Sequence, residues 1–64
     1  MNRRKLEQHL RNCGCILHHH GGLHDVWLNL RSQAQTSIPR HRELKRGTAR
    51  GICSRLGVPH PPGL

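Results

Sequence analysis

A double glycine divides the stretch Cys15-Ile16-Leu17-His18-His19-His20-Gly21-Gly22-Leu23-His24-Asp25-Val26-Trp27 into two segments of strand length. A glycine pair accepts positive φ at both central positions of a two-residue hairpin turn. The stretch therefore predicts two antiparallel strands, Cys15–His20 and Leu23–Leu30, that meet at Gly21-Gly22. Just after the turn, the second strand carries a single histidine, His24.

An amphipathic helix is predicted on the N-terminal side of this hairpin. Leu6, Leu10 and Cys13 recur at helical spacing among charged and polar residues, starting from Arg3. Gly14 follows directly and suits the C-terminal cap of such a helix.

A short strand and a second helix are predicted on the C-terminal side. The strand covers Thr36–Arg40, and Pro39 restricts it to an edge or to its own end. The helix is predicted to start at Thr48 as N-cap and to stop at Gly57 as the C′ glycine. Its apolar positions repeat at i, i+3, i+4 and i+7: Ala49, Ile52, Cys53 and Leu56.

The order helix, strand, strand, strand, helix predicts an α+β (α-β-β-β-α) domain. Its simplest arrangement is a three-stranded antiparallel sheet with both helices on one face, a layout similar to the double-stranded RNA-binding domain. Residues 1–58 are expected to form one domain. The Pro/Gly-rich residues 59–64 are expected to form a loose C-terminal tail.

The predicted turn also predicts which side chains share a face. With two turn residues, His19 lies opposite His24 and Leu17 lies opposite Val26. One face then carries Cys15, Leu17, Val26, Leu28 and Leu30. This face is expected to meet the helices, with His19 and His24 at its rim. The opposite face carries Ile16, His18, Asp25 and Trp27, and a longer turn would shift this register.

The charge balance points to a polyanion or an acidic partner. Lys and Arg number 11 against 3 Asp and Glu, a formal charge of +8, so RNA, DNA and an acidic protein all qualify. No apolar run exceeds three residues. A secretory signal needs an apolar run of about seven to fifteen residues and a membrane span needs about 20, so we expect a cytoplasmic protein.

Metal binding is weakly indicated. The run His18-His19-His20 resembles a metal tract, and Cys13-x-Cys15 adds two soft ligands. Alternation along a strand, however, sends neighbouring side chains to opposite faces. We expect no metal and no other cofactor, and we interpret the three cysteines as reduced thiols.

Several stretches resemble one known family. They are Gly22-Leu23-His24, Ser37-Ile38-Pro39-Arg40-His41, Glu43-Leu44-Lys45-Arg46-Gly47-Thr48-Ala49-Arg50 and the helix end Leu56-Gly57. In this order, from about Arg3 to Val58, they are similar to the HicA family of toxin-antitoxin mRNA interferases. The resemblance implies a ribonuclease toxin that acts on mRNA, is neutralised by a HicB-type antitoxin and depends on a single histidine, at the position of His24.

The residues are compatible with metal-independent RNA cleavage. The only carboxylates, Glu7, Asp25 and Glu43, fall in three different elements, which disfavours a two-metal nuclease site. A histidine can instead take the proton from a 2′-hydroxyl, which then attacks the adjacent phosphate. His24 would act as base or acid in such a reaction, which requires RNA.

Four residues are candidates for RNA and phosphate binding: Arg40, His41, Lys45 and Arg46. The group that makes the second proton transfer stays open among His19, His41 and a water molecule. Because the chain has no Phe or Tyr, recognition is expected to rest on phosphates and groove shape.

Two other function classes stay open. A basic RNA-binding module without catalysis would bind RNA and be indifferent to the loss of His24. A partner subunit or zinc-stabilised structural protein would depend for its folding on an antitoxin or on zinc.

Overall fold

The structure, a computed structural model, describes all residues 1–64. Its elements are α1 (Arg3–Asn12), β1 (Cys15–His20), β2 (His24–Asn29), β3 (Gln35–Pro39) and α2 (Arg46–Leu56). The strands form one antiparallel sheet in the order β1-β2-β3. The predicted α+β architecture is confirmed.

Both helices have well-defined ends. At the start of α1, Asn2 is the N-cap and its side-chain oxygen accepts a hydrogen bond from the Lys5 N–H at 3.3 Å. Helix α2 starts after Lys45, so the prediction of Thr48 as N-cap is wrong by about one turn. Gly57 ends α2 in the left-handed region, at φ +73°, as predicted.

The hairpin between β1 and β2 differs from the prediction. Neither Gly21 nor Gly22 has a positive φ, and three residues rather than two separate the strands. An irregularity in β1 at His18 shifts the register further. The paired residues are Leu17 with Trp27, His19 with Val26 and His20 with Asp25, so the predicted pairs are wrong.

This change of register reverses the faces of β2. Side chains alternate along a strand, so a slip of one residue exchanges the inner and outer sets. Asp25 and Trp27 point toward the helices, and Trp27 is 1% exposed although it was predicted on the opposite face. Val26 and Leu28 lie on the face away from the helices, which we call the open face. Leu30 lies beyond the end of β2 and is exposed.

The core lies between one face of the sheet and both helices. Its members are Leu6, Leu10, Cys15, Trp27, Ile38, Leu44, Ala49, Ile52, Cys53 and Leu56. At its edge, the Arg11 guanidinium lies 5.3 Å from the centroid of the Trp27 ring, where a cation is attracted by the ring. Both helices therefore cover the same face, as predicted. Neither of them has the length and apolar character that crossing a membrane requires.

A buried polar residue closes the core at the end of β2. The Asn29 side-chain amide donates a hydrogen bond to the Leu56 carbonyl at 2.7 Å, and its oxygen accepts one from the Arg31 N–H at 2.9 Å. Because these groups are satisfied, Asn29 can be buried at little cost. It also anchors the last turn of α2 to the sheet.

The C-terminal segment folds back onto the domain instead of forming the loose tail expected from its prolines. His9 Nε2 donates to the Pro59 carbonyl at 2.6 Å, and the Arg50 guanidinium donates to the Leu64 carbonyl at 3.1 Å. Pro61 is buried. These contacts join residues far apart in the chain, so a local pattern does not reveal them. The division of the chain at residue 58 stays a prediction.

Candidate active site

His24 stands at the hairpin end of the open face. It is the first residue of β2 and lies opposite Pro39, the last residue of β3. Its carbonyl accepts a hydrogen bond from the Gly21 N–H at 3.0 Å, which closes the hairpin loop. The side chain is exposed and shares the open face with Val26. The sequence-based prediction had placed His24 at the rim of the helix-facing side, and the shifted register moves it to the other side.

A buried carboxylate holds the segments that surround His24. The Arg40 Nε donates to Asp25 Oδ1 at 3.0 Å, and the same guanidinium also donates to the Gly21 carbonyl. From the end of β1, His20 Nδ1 approaches the same carboxylate oxygen at 2.9 Å. Asp25 thus connects both ends of the hairpin loop to the segment that follows β3.

The network keeps Asp25 ionised. Burial opposes ionisation, but the hydrogen bond and charge of Arg40, together with the charge and hydrogen bond of His20, outweigh it. The pKa of Asp25 therefore lies below its ordinary value. At neutral pH its carboxylate accepts hydrogen bonds and positions the loop.

Arg40, predicted to bind phosphate, has a structural role in this network. Two of its guanidinium nitrogens are engaged by Asp25 and Gly21. An arginine side chain has five N–H donors, so donors remain for a ligand. Its side chain is 31% exposed, which leaves the guanidinium accessible from one side.

The other predicted phosphate ligands separate into two groups. His41 and Lys45 line one depression of about 390 Å³ together with Pro39, the residue opposite His24. Arg46 lines a different depression of about 430 Å³, on the side of the two chain termini. Lys45 and Arg46 are neighbours in sequence, but the start of α2 directs them to different parts of the surface.

A cluster of arginines joins the N-terminus to the segment that follows β3, and of its members only Arg40 was predicted as a site residue. A cleft of about 560 Å³, here called the arginine cleft, is lined by Asn2, Arg3, Arg4, Arg40 and Arg42. The cleft forms because the N-terminal residues pair with the segment before α2. The Arg3 N–H donates to the Arg42 carbonyl at 2.8 Å, and the Leu44 N–H donates to the Met1 carbonyl at 2.7 Å. The run Arg3-Arg4 was the available signal, but nothing local indicates that it meets Arg42.

Each carboxylate of the chain is engaged by a cation. Glu7 lies 3.7 Å from Arg3, Glu43 lies 3.5 Å from the N-terminal amino group, and Asp25 pairs with Arg40. No group of three or more His, Cys, Asp or Glu side chains is arranged to hold a metal ion.

The cysteines are unpaired, in agreement with the interpretation as thiols. Burial, and to a smaller degree the neighbouring Cys13, raises the pKa of the Cys15 thiol. Burial likewise raises the pKa of Cys53. A raised pKa disfavours the thiolate, which is the reactive and metal-binding form.

Comparison with known families identifies one match. The family model described as the HicA toxin of bacterial toxin-antitoxin systems matches residues 3–58, from the start of α1 to just after α2. The chain belongs to the HicA toxin family. The predicted family resemblance is thereby confirmed, and the matched region contains His24, Arg40, His41, Lys45 and Arg46. Neither a curated protein nor a solved structure matches the chain.

Proposed function

We propose that the chain is a metal-independent endoribonuclease toxin, an mRNA interferase, with His24 as its essential residue and a HicB-type antitoxin as its inhibitor. The observation that carries the proposal is the position of His24. Its exposed side chain is the first of β2 and directly follows the hairpin loop that Asp25 and Arg40 hold, in a chain of net charge +8 that belongs to the HicA toxin family.

His24 would act on the 2′-hydroxyl of the RNA. Its imidazole takes the hydroxyl proton, the 2′-oxygen forms a bond to the adjacent phosphorus, and the bond from phosphorus to the 5′-oxygen breaks. The leaving 5′-oxygen takes up a proton. DNA lacks the 2′-hydroxyl and would not be cleaved. Because Glu7, Asp25 and Glu43 are each engaged by a cation, the chain offers no free carboxylates for a pair of catalytic metal ions.

His41 and Lys45 are the proposed phosphate ligands nearest to this reaction. They line the depression that contains Pro39, which lies opposite His24 in the sheet. A cation there would stabilise the charge that develops on the phosphate oxygens. Arg46 lines another depression and would contact the RNA only at a distance from the reacting phosphate. Trp27 is buried and the chain has no Phe or Tyr, so no Trp, Phe or Tyr ring is exposed as a stacking platform.

Of the candidates for the second proton transfer, His19 shares the open face with His24. It lies opposite Val26, so His19 and His24 are diagonal neighbours across the two strands, which puts their Cα atoms about 7–8 Å apart. Gly21 lies two residues after His19 in the chain, and a Cβ built on Gly21 would lie 3.9 Å from Cδ2 of the His19 ring. His41 and a water molecule remain the alternatives.

The test compares three proteins on the same RNA. Replacing His24 by Ala should abolish cleavage while the far-UV circular dichroism spectrum stays unchanged, because the side chain is exposed and has no hydrogen-bond partner. His60→Ala is the matched control, since His60 is an exposed histidine in the C-terminal segment, and it should cleave at the parental rate. Parental cleavage should also persist in EDTA.

Two results would contradict the proposal. If the His24→Ala protein degrades RNA as fast as the parent, His24 is not essential, and the alternative of a non-catalytic RNA-binding module gains support. If EDTA stops the parent protein, the reaction depends on a metal ion.

The proposed antitoxin would cover the His24 region. Leu23, next to His24 at the hairpin tip, is 82% exposed, so a partner that covers this tip would also bury apolar surface there. A net charge of +8 favours an acidic contact surface on that partner. Nuclease activity should disappear in the co-purified complex and return when the antitoxin is removed. A fully active complex with His24 still open to solvent would contradict inhibition by occlusion.

A further inference from the structure

The arginine cleft is lined by four arginines, Arg3, Arg4, Arg40 and Arg42, and by Asn2. We propose that this cleft binds backbone phosphates of single-stranded RNA and so holds the strand whose reacting phosphate lies at His24. The inference rests on the proposed ribonuclease function and adds a second anchoring site to it.

The chemistry of the lining favours a phosphate chain over a protein. Planar guanidinium groups donate two parallel hydrogen bonds to a phosphate, which fixes its orientation as well as its charge. No carboxylate and no apolar residue lines the cleft. The central part of a protein–protein interface is depleted in charged residues and rich in apolar contacts, so this lining is unsuited to that role.

The arrangement of charges is unfavourable for the free domain. The first turn of α1 carries Arg3, Arg4 and Lys5 and no acidic residue, although the positive end of the helix dipole favours acidic side chains there. The Arg3 Nε is shielded from solvent without a hydrogen-bond partner, and its nearest carboxylate, Glu7, is 3.7 Å away. A bound polyanion would offset this repulsion, which is the second indication of a ligand.

Arg40 connects the cleft to the proposed reaction site. Arg40 lines the cleft, and its guanidinium binds Asp25 and the Gly21 carbonyl. Gly21 in turn donates its N–H to the His24 carbonyl, and Arg40 directly follows Pro39, the residue opposite His24. A strand anchored in the cleft would therefore lead toward His24 past a guanidinium that the fold holds in place.

Arg4 and Arg42 are the side chains to remove. Both are exposed and neither makes a side-chain hydrogen bond or an ion pair, so their loss should leave the fold intact. The matched control removes Arg31 and Arg55, two exposed arginines outside the cleft, and causes the same change of net charge. All proteins also carry His24→Ala, so that the RNA stays uncleaved during the measurement.

Binding of a labelled short single-stranded RNA is measured by fluorescence anisotropy across a series of salt concentrations. Each lost phosphate contact lowers the slope of log affinity against log salt by about 0.7, so Arg4→Ala with Arg42→Ala should lower it by about 1.4. The Arg31→Ala and Arg55→Ala control should keep the parental slope. Arg42→Lys, which keeps the charge without the fork, should keep the slope while weakening binding.

Three outcomes overturn the inference alone. An equal fall of the slope in the control pair would show that only net charge matters. A parental slope in the cleft variants would place the RNA elsewhere, with His24-dependent cleavage still standing as the proposed function. If the cleft variants keep their affinity for RNA but no longer bind the antitoxin, the cleft is a contact site for that protein. A parent chain that binds no RNA at all would overturn both the inference and the proposed function.

Discussion

The two faces of the sheet differ in what covers them. The helix-facing side buries Trp27, Ile38 and Cys15 against both helices. The open face carries His19, Val26 and His24 and has no layer of helices over it. Stability therefore depends mainly on one face, while the other is free to carry exposed polar groups.

The two faces meet at Asp25. Its carboxylate lies on the helix-facing side and is buried, yet it binds Arg40, which holds the loop that directly precedes His24. A mutation on the helix-facing side should therefore affect mainly stability, and a mutation in this network should affect both stability and the position of His24.

The largest expected effect is a loss of stability on replacing Trp27, and its neighbour Val26 on the opposite face of β2 provides the comparison. Trp27→Ala should lower the free energy of unfolding by about 3–5 kcal/mol, because it removes a fully buried aromatic side chain. Val26→Ala should cost less, since Val26 is only half-buried on the open face. Thermal unfolding followed by far-UV circular dichroism is suitable, since Trp27 is the only tryptophan. An equal or larger loss in Val26→Ala would mean that the faces of β2 are assigned the wrong way round.

Arg40 provides the next largest effect. Arg40→Ala leaves the buried Asp25 carboxylate with His20 as its single side-chain partner and should cost about 2–3 kcal/mol. It should also reduce RNA cleavage, because the Gly21 carbonyl loses its donor and the loop under His24 is released. Chemical denaturation and cleavage assays of the same samples measure both. Unchanged cleavage together with lower stability would restrict Arg40 to a role in folding.

The glycine pair at the hairpin offers a smaller, sharply controlled effect. A Cβ on Gly21 would lie 2.8 Å from the His24 carbonyl oxygen, so Gly21→Ala should shift the loop and cost about 1–2 kcal/mol. A Cβ on Gly22 would meet nothing within 4 Å, and Gly22→Ala should change stability by no more than about 0.5 kcal/mol. Urea denaturation compares them. Equal effects of the two substitutions would contradict the three-residue loop described above.

The smallest expected effect is a dependence of stability on acid pH. Because the pKa of Asp25 is lowered in the folded state, its contribution is fully present above the unfolded value of about 3.9. It is lost as the pH falls from there through the folded pKa. Asp25→Asn should therefore show a shallower fall of stability below about pH 4 than the parent. Parallel curves for the two proteins would remove Asp25 from the acid response.

Local patterns were sufficient for the order of the helices and strands and for the family. The helical spacing of Leu6 and Leu10 and that of Ile52 and Leu56 identified both helices, because an amphipathic helix must bury one stripe of side chains. Several short stretches between Gly22 and Gly57 identified the HicA toxin family, since the residues within each stretch lie close together in the chain. His24, His41 and Lys45 were proposed as site residues on this basis, and their roles stay predictions.

The register of the hairpin was decided only in three dimensions. Gly21-Gly22 is compatible with several turns, and the choice of a longer loop depends on the contact of Arg40 with Asp25 and Gly21, 15 and 19 residues away. It also depends on the gain from burying Trp27, which outweighs that from burying Val26. Asp25 accompanies Trp27 to the buried face because Arg40 is there to pair with it.

The residues of this chain dictate a small, strongly basic α-β-β-β-α domain with a histidine near the tip of its hairpin. The charge follows from composition, and the helices and strands follow from patterns of apolar residues within short segments. Tertiary structure alone decided on which face of the sheet that histidine is exposed and which arginines line one cleft. Those outcomes depend on contacts between segments that are up to about 40 residues apart, such as Met1 with Leu44, and such contacts leave no periodic trace in the sequence.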